Sequence, residues 1–537
     1  MRRALLVLPV VTGLLLAACA HTTNGTPVGS TLPSSPTSSS SSDSGRPTSP
    51  APSSGDPSSP GATATPSVDP ITFGSCNSIF TPSDVPAPDG LDGKISFGCA
   101  QLPVPLNYTD ASGRSINLQL LRIHDKDATP IGSLLVNPGG PGASGIELAL
   151  GILSELDPSL LKNFDIIGFD PRGVGLSSPI NCISNSLKDQ YNAYSPDVRQ
   201  QADFDQAKKL AKQVADGCAS KYGTSLPFIN TVNTARDMDL IRQAVGDERM
   251  NYLGFSYGTE LGSVYAHLFP GKVRVAVLDG AVDPLTDDIQ QFADQLDGFE
   301  KSFDQFSDNC GTGCASLGDP RQAVYDIVTK ANTKPLSTGS SRVLTSSLAL
   351  TGVLQALYSS SYWPDLASAL KKAKNGDGSG LLDLADQYNE RDADGSYSNI
   401  IDANLTISCN DSDPGPTDQK IKDTAAQWAT KYPMFGIWAA GSLASCQQWQ
   451  PTRTPPPLPT ADNTANKVLV IGNLNDPATP YQGAVDLAKT MGNAEVLTWD
   501  GEGHTSYLEG SSCIDDAVNK YLIDVTLPPP DTTCPRN

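Results

Sequence analysis

The chain has 537 residues, room for about three ordinary domains or one large domain with an insertion. Lysine and arginine number 37 against 58 aspartates and glutamates, a formal charge of −21. That balance argues against nucleic acid as a partner, because phosphate contacts need clustered cations.

In chain order, the first element is an address. Arg2 and Arg3 precede an apolar run from Ala4 to Ala17, too short to span a bilayer of about 30 Å and typical of a secretory leader over 1–18. Leu16-Ala17-Ala18-Cys19 resembles a bacterial lipobox, which implies lipidation of Cys19 and a membrane reached through that anchor. Residues 19–70 are dominated by Ser, Thr, Pro, Gly, Ala and Asp, a composition that cannot bury enough apolar surface to offset chain entropy. The segment is expected to be a disordered tether with a reach of roughly 40 Å.

A first core segment is expected over 71–284. Its β-rich runs are Ser115–Ile123, Ser133–Asn137, Phe164–Phe169, Met250–Phe255 and Val273–Leu278. Most are continuously apolar, as strands covered on both faces must be. Thr234–Val245 and Thr259–Phe269 have helical periodicity, the first with Thr234 as its expected N-cap. From 285 to 455 the pattern turns helical, as in Phe292–Phe306 and Leu348–Tyr358, with a further helix expected from Pro364. Strands resume in 456–537 with Lys467–Ile471 and Ala494–Trp499. The expected fold is α/β: a mostly parallel sheet with an inserted helical cap.

The chemistry gathers at strand ends. Gly254-Phe255-Ser256-Tyr257-Gly258 matches GxSxG between a strand and a helix, the turn that holds a serine hydroxyl exposed. A serine needs a base, and the chain offers only His21, His124, His267 and His504. His21 lies in the tail, His124 at an early strand end and His267 on the wrong side of the helix after Ser256. His504, in Gly501-Glu502-Gly503-His504 after Ala494–Trp499, remains. The imidazole needs a carboxylate. Asp476 follows Lys467–Ile471 and gives the order Ser256, Asp476, His504; Asp279 and Asp283, one strand earlier, are the competitors. The oxyanion donors are expected to be the Tyr257 N–H and, from the glycine turn Asn137-Pro138-Gly139-Gly140-Pro141-Gly142, the Gly140 N–H.

Taken together, NPGGPGASG at 137–145, FDPRGVGLSSP at 169–179, GFSYGT at 254–259, DPATP at 476–480 and GEGH at 501–504 resemble one family. It is the prolyl/tripeptidyl aminopeptidase branch of the α/β-hydrolases, of the secreted actinobacterial type with a TAP-like C-terminal region. The resemblance covers about 76–537. It departs from the smaller prolyl iminopeptidases in having Pro138 where they carry a histidine. It implies release of short peptides from free N-termini, with no metal or cofactor. A free ammonium calls for a carboxylate in a partly desolvated cleft. Asp411 is the first candidate and Glu390, Asp392 and Asp394 are others. A carboxylesterase or lipase with the same triad, or a non-enzymatic envelope-binding protein, are the alternatives.

Removing Cys19 leaves ten cysteines, an even number suited to an oxidising compartment. Nearness in sequence suggests Cys76–Cys99, Cys182–Cys218, Cys310–Cys314, Cys409–Cys446 and Cys513–Cys534. Zinc is disfavoured by the lack of CxxC pairs and the few histidines.

Overall fold

A computed structural model describes residues 68–110, 112–461 and 464–536. The expected leader, Cys19 and nearly all of the tether lie outside the described residues. Nine strands form the main sheet: β1 (Ile95–Pro105), β2 (Ser115–Asp125), β3 (Gly132–Asn137), β4 (Phe164–Phe169), β5 (Met250–Phe255), β6 (Val273–Asp279), β9 (Val468–Asn473), β10 (Ala494–Trp499) and β11 (Thr533–Cys534). A separate hairpin pairs β7 (Leu336–Ser337) with β8 (Val343–Leu344). The main order is β1-β2-β4-β3-β5-β6-β9-β10-β11. Strand β2 runs antiparallel to β1 and β4, and the remaining pairs are parallel.

The parallel strands are apolar throughout because both sheet faces are covered. Alternate residues feed opposite layers. Leu134, Val136, Leu253 and Phe255 pack with Ile146 and Ile514 from helices Gly145–Ile152 and Ser512–Asp524. Leu135 and Tyr252 face Met238, Leu261 and Leu487 from helices Thr231–Ala244, Tyr257–Leu268 and Tyr481–Met491.

A third apolar cluster belongs to the helices between β6 and β9, with Leu296, Phe303, Val353, Leu357, Leu370 and Phe435 among its buried residues. It also takes in Val198 and Phe204, from the stretch that carries helices Asn185–Ala193 and Gln201–Tyr222 between β4 and Thr231. The helical layer is therefore built from two stretches, not from 285–455 alone. Buried Lys188 pairs with buried Asp402 at 2.6 Å and Lys208 with Asp418 at 2.7 Å, joining the two.

Two local readings differ. Strand β1 went unseen because Gly98, Pro103 and Pro105 interrupt its pattern; proline is tolerated there because β1 is an edge strand. The helix expected to be capped by Thr234 begins at Thr231, with the Asn230 side chain accepting from the Asn233 amide. Thr234 sits inside it and donates its hydroxyl to the Asn230 carbonyl. Five disulfides join Cys76–Cys99, Cys182–Cys218, Cys310–Cys314, Cys409–Cys446 and Cys513–Cys534. No helix of the described residues is long and apolar enough to cross a membrane.

Candidate active site

Parallel strands end on a common edge, where α/β sheets place their ligand crevice. The turns after β3, β5, β6, β9 and β10 meet there. Ser256 follows β5 with φ 54° and ψ −127° and caps helix Tyr257–Leu268. This left-handed turn is held by the Ser256 amide donating to the Asp279 carbonyl at 2.9 Å, and by the Thr259 amide and hydroxyl donating to the Ser256 carbonyl. Tyr257 is the first residue of that helix, so its N–H has no acceptor within the helix.

The glycine turn after β3 lies directly against Ser256. A Cβ on Gly139 would sit 2.9 Å from the Tyr257 amide nitrogen and 3.0 Å from Ser256 Cβ. Gly139 and Gly140 both have positive φ, 97° and 107°. The Gly139 N–H donates to Asn137 Oδ1 at 3.0 Å, so Asn137 shapes the turn and Gly140 follows it.

Asp476 and His504 meet. His504 Nδ1 lies 2.9 and 3.0 Å from the two Asp476 oxygens, and both side chains are buried. Asp476 also accepts the amides of Ala478, Thr479 and Thr505 and the Thr479 hydroxyl. Such a set of donors fixes the carboxylate in place against the ring. Thr479 Oγ1 lies 3.2 Å from His504 Nδ1. The ring is held from above by Tyr358, edge-on at 5.5 Å, whose carbonyl accepts the His504 amide at 2.7 Å. Asn473 donates to the Gly503 carbonyl. A Cβ on Gly280 would come within 3.3 Å of His504 Cε1 and 3.0 Å of Thr479 Oγ1.

Of the competing acids, Asp279 accepts the Ser506 and Tyr507 amides, and Asp283 accepts the Leu285 amide in an exposed turn. His21 lies outside the described residues, and the other two histidines are engaged elsewhere. His124 lies 2.7 Å from Asp165, and His267 lies 2.8 Å from the Thr460 carbonyl.

Asp411 ends helix Ile400–Asp411. Its carboxylate accepts the Thr231 amide and, at 2.7 Å, the Thr231 hydroxyl, which shares a short hydrogen bond with Tyr257 OH. Burial, and then the charge of Glu260, raise the Asp411 pKa well above the usual carboxylate range, against the Thr231 hydroxyl. Burial pushes Glu260 up to about 7, with Asp288 adding to it. Glu390 is pushed up to about 8 by burial, against a bond from the Ser398 hydroxyl and with Glu147 and Asp392 adding to it. Asp392 and Asp394 are exposed in a turn around Ser396.

The sequence does not single out Thr479, Asn473 or Tyr358, and it offers Gly139 only as part of the glycine turn. Thr479 stands in the quoted DPATP string, where it reads as a turn residue.

Two family models match the chain: an alpha/beta hydrolase fold over 132–324 and a TAP-like protein over 432–534. Serine protease Hip1 of Mycobacterium tuberculosis is 37% identical over 453 residues, 81% of this chain and 87% of that protein. Carboxylesterase B of the same species is 37% identical, over 81% and 86%. The tripeptidyl aminopeptidase of Streptomyces lividans is 32% identical, over 81% and 83%.

Proposed function

The chain belongs to the α/β-hydrolase family, with a TAP-like C-terminal region, and from that premise we propose that it is a serine aminopeptidase releasing short peptides from free N-termini. Ser256 Oγ attacks the scissile carbonyl. His504 Nε2 takes its proton and returns it to the leaving amine, while Asp476 holds the Nδ1 proton and the imidazolium that forms. The N–H groups of Tyr257 and Gly140 receive the oxyanion. An acyl-enzyme forms, and water attacking through the same base releases it. The observation that carries this reading is the Asp476–His504 contact at 2.9 and 3.0 Å: with Nδ1 committed there, Nε2 is the nitrogen left for proton transfer.

Asp411, with Glu260 beside it, is proposed to receive the substrate ammonium. Both carboxyls are raised by burial, and each has a further carboxylate near it, Glu260 for Asp411 and Asp288 for Glu260. An ammonium entering there would gain charge-assisted hydrogen bonds at little further desolvation cost. Mass spectrometry of products from paired free and N-acetylated peptides tests both points. Cleavage of the free peptides a fixed short distance from the N-terminus is expected, with Asp411→Asn and Glu260→Gln raising KM for them. Equal cleavage of the acetylated peptides would contradict an aminopeptidase.

An esterase is the second reading, favoured by one observation: carboxylesterase B is as similar to this chain as serine protease Hip1 is. Turnover of short-chain nitrophenyl esters with no peptide cleaved would favour it. We also propose that the protein acts outside the cell, exported by the 1–18 leader and anchored to the membrane by lipid on Cys19. Cys19→Ser is expected to move it from the membrane fraction to the medium, and an unchanged distribution would contradict the anchor.

A further inference from the structure

Asp279 takes no part in the proposed triad, yet it ends β6 between the nucleophile and the base and is fully buried. Its carbonyl accepts the Ser256 amide at 2.9 Å. Its carboxylate oxygen Oδ2 accepts the Ser506 amide at 3.0 Å and the Tyr507 amide at 2.8 Å. Those two amides lie in the loop that carries His504. The same loop has left-handed residues at Thr505 and Leu508, φ 69° and 68°, a conformation that side-chain-bearing residues keep only when their surroundings impose it. The imposition is visible: four consecutive amides, 505 to 508, donate to Asp476, Asp279, Asp279 and Asp515.

We propose that Asp279 is a positioning residue which sets the distance between Ser256 and His504, gripping the nucleophile turn with its backbone and the histidine loop with its side chain. The assignment rests on the reading of Ser256 as nucleophile and His504 as base. The backbone half of the grip is open to any residue. The side-chain half needs a short acceptor able to take two adjacent N–H groups, which no apolar side chain can supply. Keeping such a carboxylate without a cation is costly. Burial, with Asp476 adding to it, pushes its pKa to about 7, against the two amides and His504.

The test compares Asp279→Ala and Asp279→Asn with Val277→Ala, a cavity variant in the same strand whose buried side chain belongs to the apolar cluster and makes no polar contact with the histidine loop. The readouts are melting temperature, the rate of labelling by a fluorophosphonate, and kcat and KM on a nitrophenyl ester. Asp279→Ala is expected to lower kcat and the labelling rate about 100-fold with KM nearly unchanged, the cost of misplacing reacting groups by about 1 Å. Asp279→Asn keeps one acceptor oxygen and is expected to recover about twentyfold of that loss, leaving labelling about fivefold below wild type. Val277→Ala should lose melting temperature yet label at the wild-type rate. Wild-type labelling of Asp279→Ala, or an equal loss in Val277→Ala at matched melting temperature, would overturn the proposal. If the alanine variant does not fold, Asp279→Asn carries the test: labelling reduced about fivefold supports the grip, and wild-type labelling overturns it. The Ser256→Ala control separates the premises: adduct that persists in it would contradict the nucleophile, whatever Asp279 does.

Discussion

Thr479 touches both Asp476 and His504, the proposed acid and base, donating to Asp476 Oδ2 at 3.0 Å and lying 3.2 Å from His504 Nδ1. Thr479→Val keeps the shape and removes both contacts. A hydrogen bond to a charged group is worth about 1.5–3 kcal/mol, so kcat is expected to fall about tenfold or more, with KM little changed; steady-state kinetics on an ester substrate check it. Gly139 makes a sharper case. A Cβ there would crowd the Tyr257 amide and Ser256 Cβ at a φ of 97°, which non-glycine residues rarely adopt. Gly139→Ala is expected to cost at least about 100-fold in kcat by displacing the nucleophile turn; near wild-type kcat would show that the turn yields. The strand–helix turn that carries Ser256 was legible from its motif, and His504 as the proposed base because only four histidines exist. The choice between Asp476 and Asp279 was less so. Asp279 ends an apolar strand and Asp476 closely follows another, and only the folded loop decides which reaches Nδ1.

At the scale of elements, the sheet was legible because its central strands are buried on both faces and so are written as unbroken apolar runs. The helices of 185–222 were not. Asn185–Ala193 buries only Lys188, and the stripe that Gln201–Tyr222 buries is largely alanine, with Phe204, Leu210 and Val214 as its larger apolar residues. The turn after β4 is held to the end of β1 and to helix Thr231–Ala244 by polar groups. Fully buried Arg172, from the FDPRG string, forms an ion pair with fully buried Asp237 at 2.6 Å, and donates to the carbonyls of Pro105, Leu106 and Phe228. Tyr108 donates to the same carboxylate at 2.7 Å. Removing one partner of a buried pair strands the other, at a cost of about 3–5 kcal/mol. Arg172→Ala is therefore expected to lower stability by that amount in denaturant unfolding. A loss under about 1 kcal/mol would mean that water enters and solvates Asp237.

For the whole molecule, the −21 charge includes several half-buried carboxyls and the fully buried Asp279. Burial is the first cause in each case: Glu147, Glu260 and Asp279 are pushed up to about 7, and Glu390 and Glu509 to about 8. Their ordinary values are 3.8 for Asp and 4.5 for Glu. Between those values and about 8 the folded chain holds protons that the unfolded chain has released, so this stability is complete at acid pH and lost as pH rises. The melting temperature is expected to be several degrees higher near pH 5 than near pH 8. A profile that rises across this window would mean that these groups are better solvated than their burial implies.

The central claim is that one serine, at 256, does the covalent chemistry with His504 as its base. Intact-mass and peptide-mapping mass spectrometry after fluorophosphonate treatment tests it most directly. The expected result is a single adduct on Ser256, absent in Ser256→Ala and strongly slowed in His504→Ala, with the melting temperature of Ser256→Ala nearly unchanged. An adduct on another residue, or full hydrolytic activity in Ser256→Ala, would contradict it.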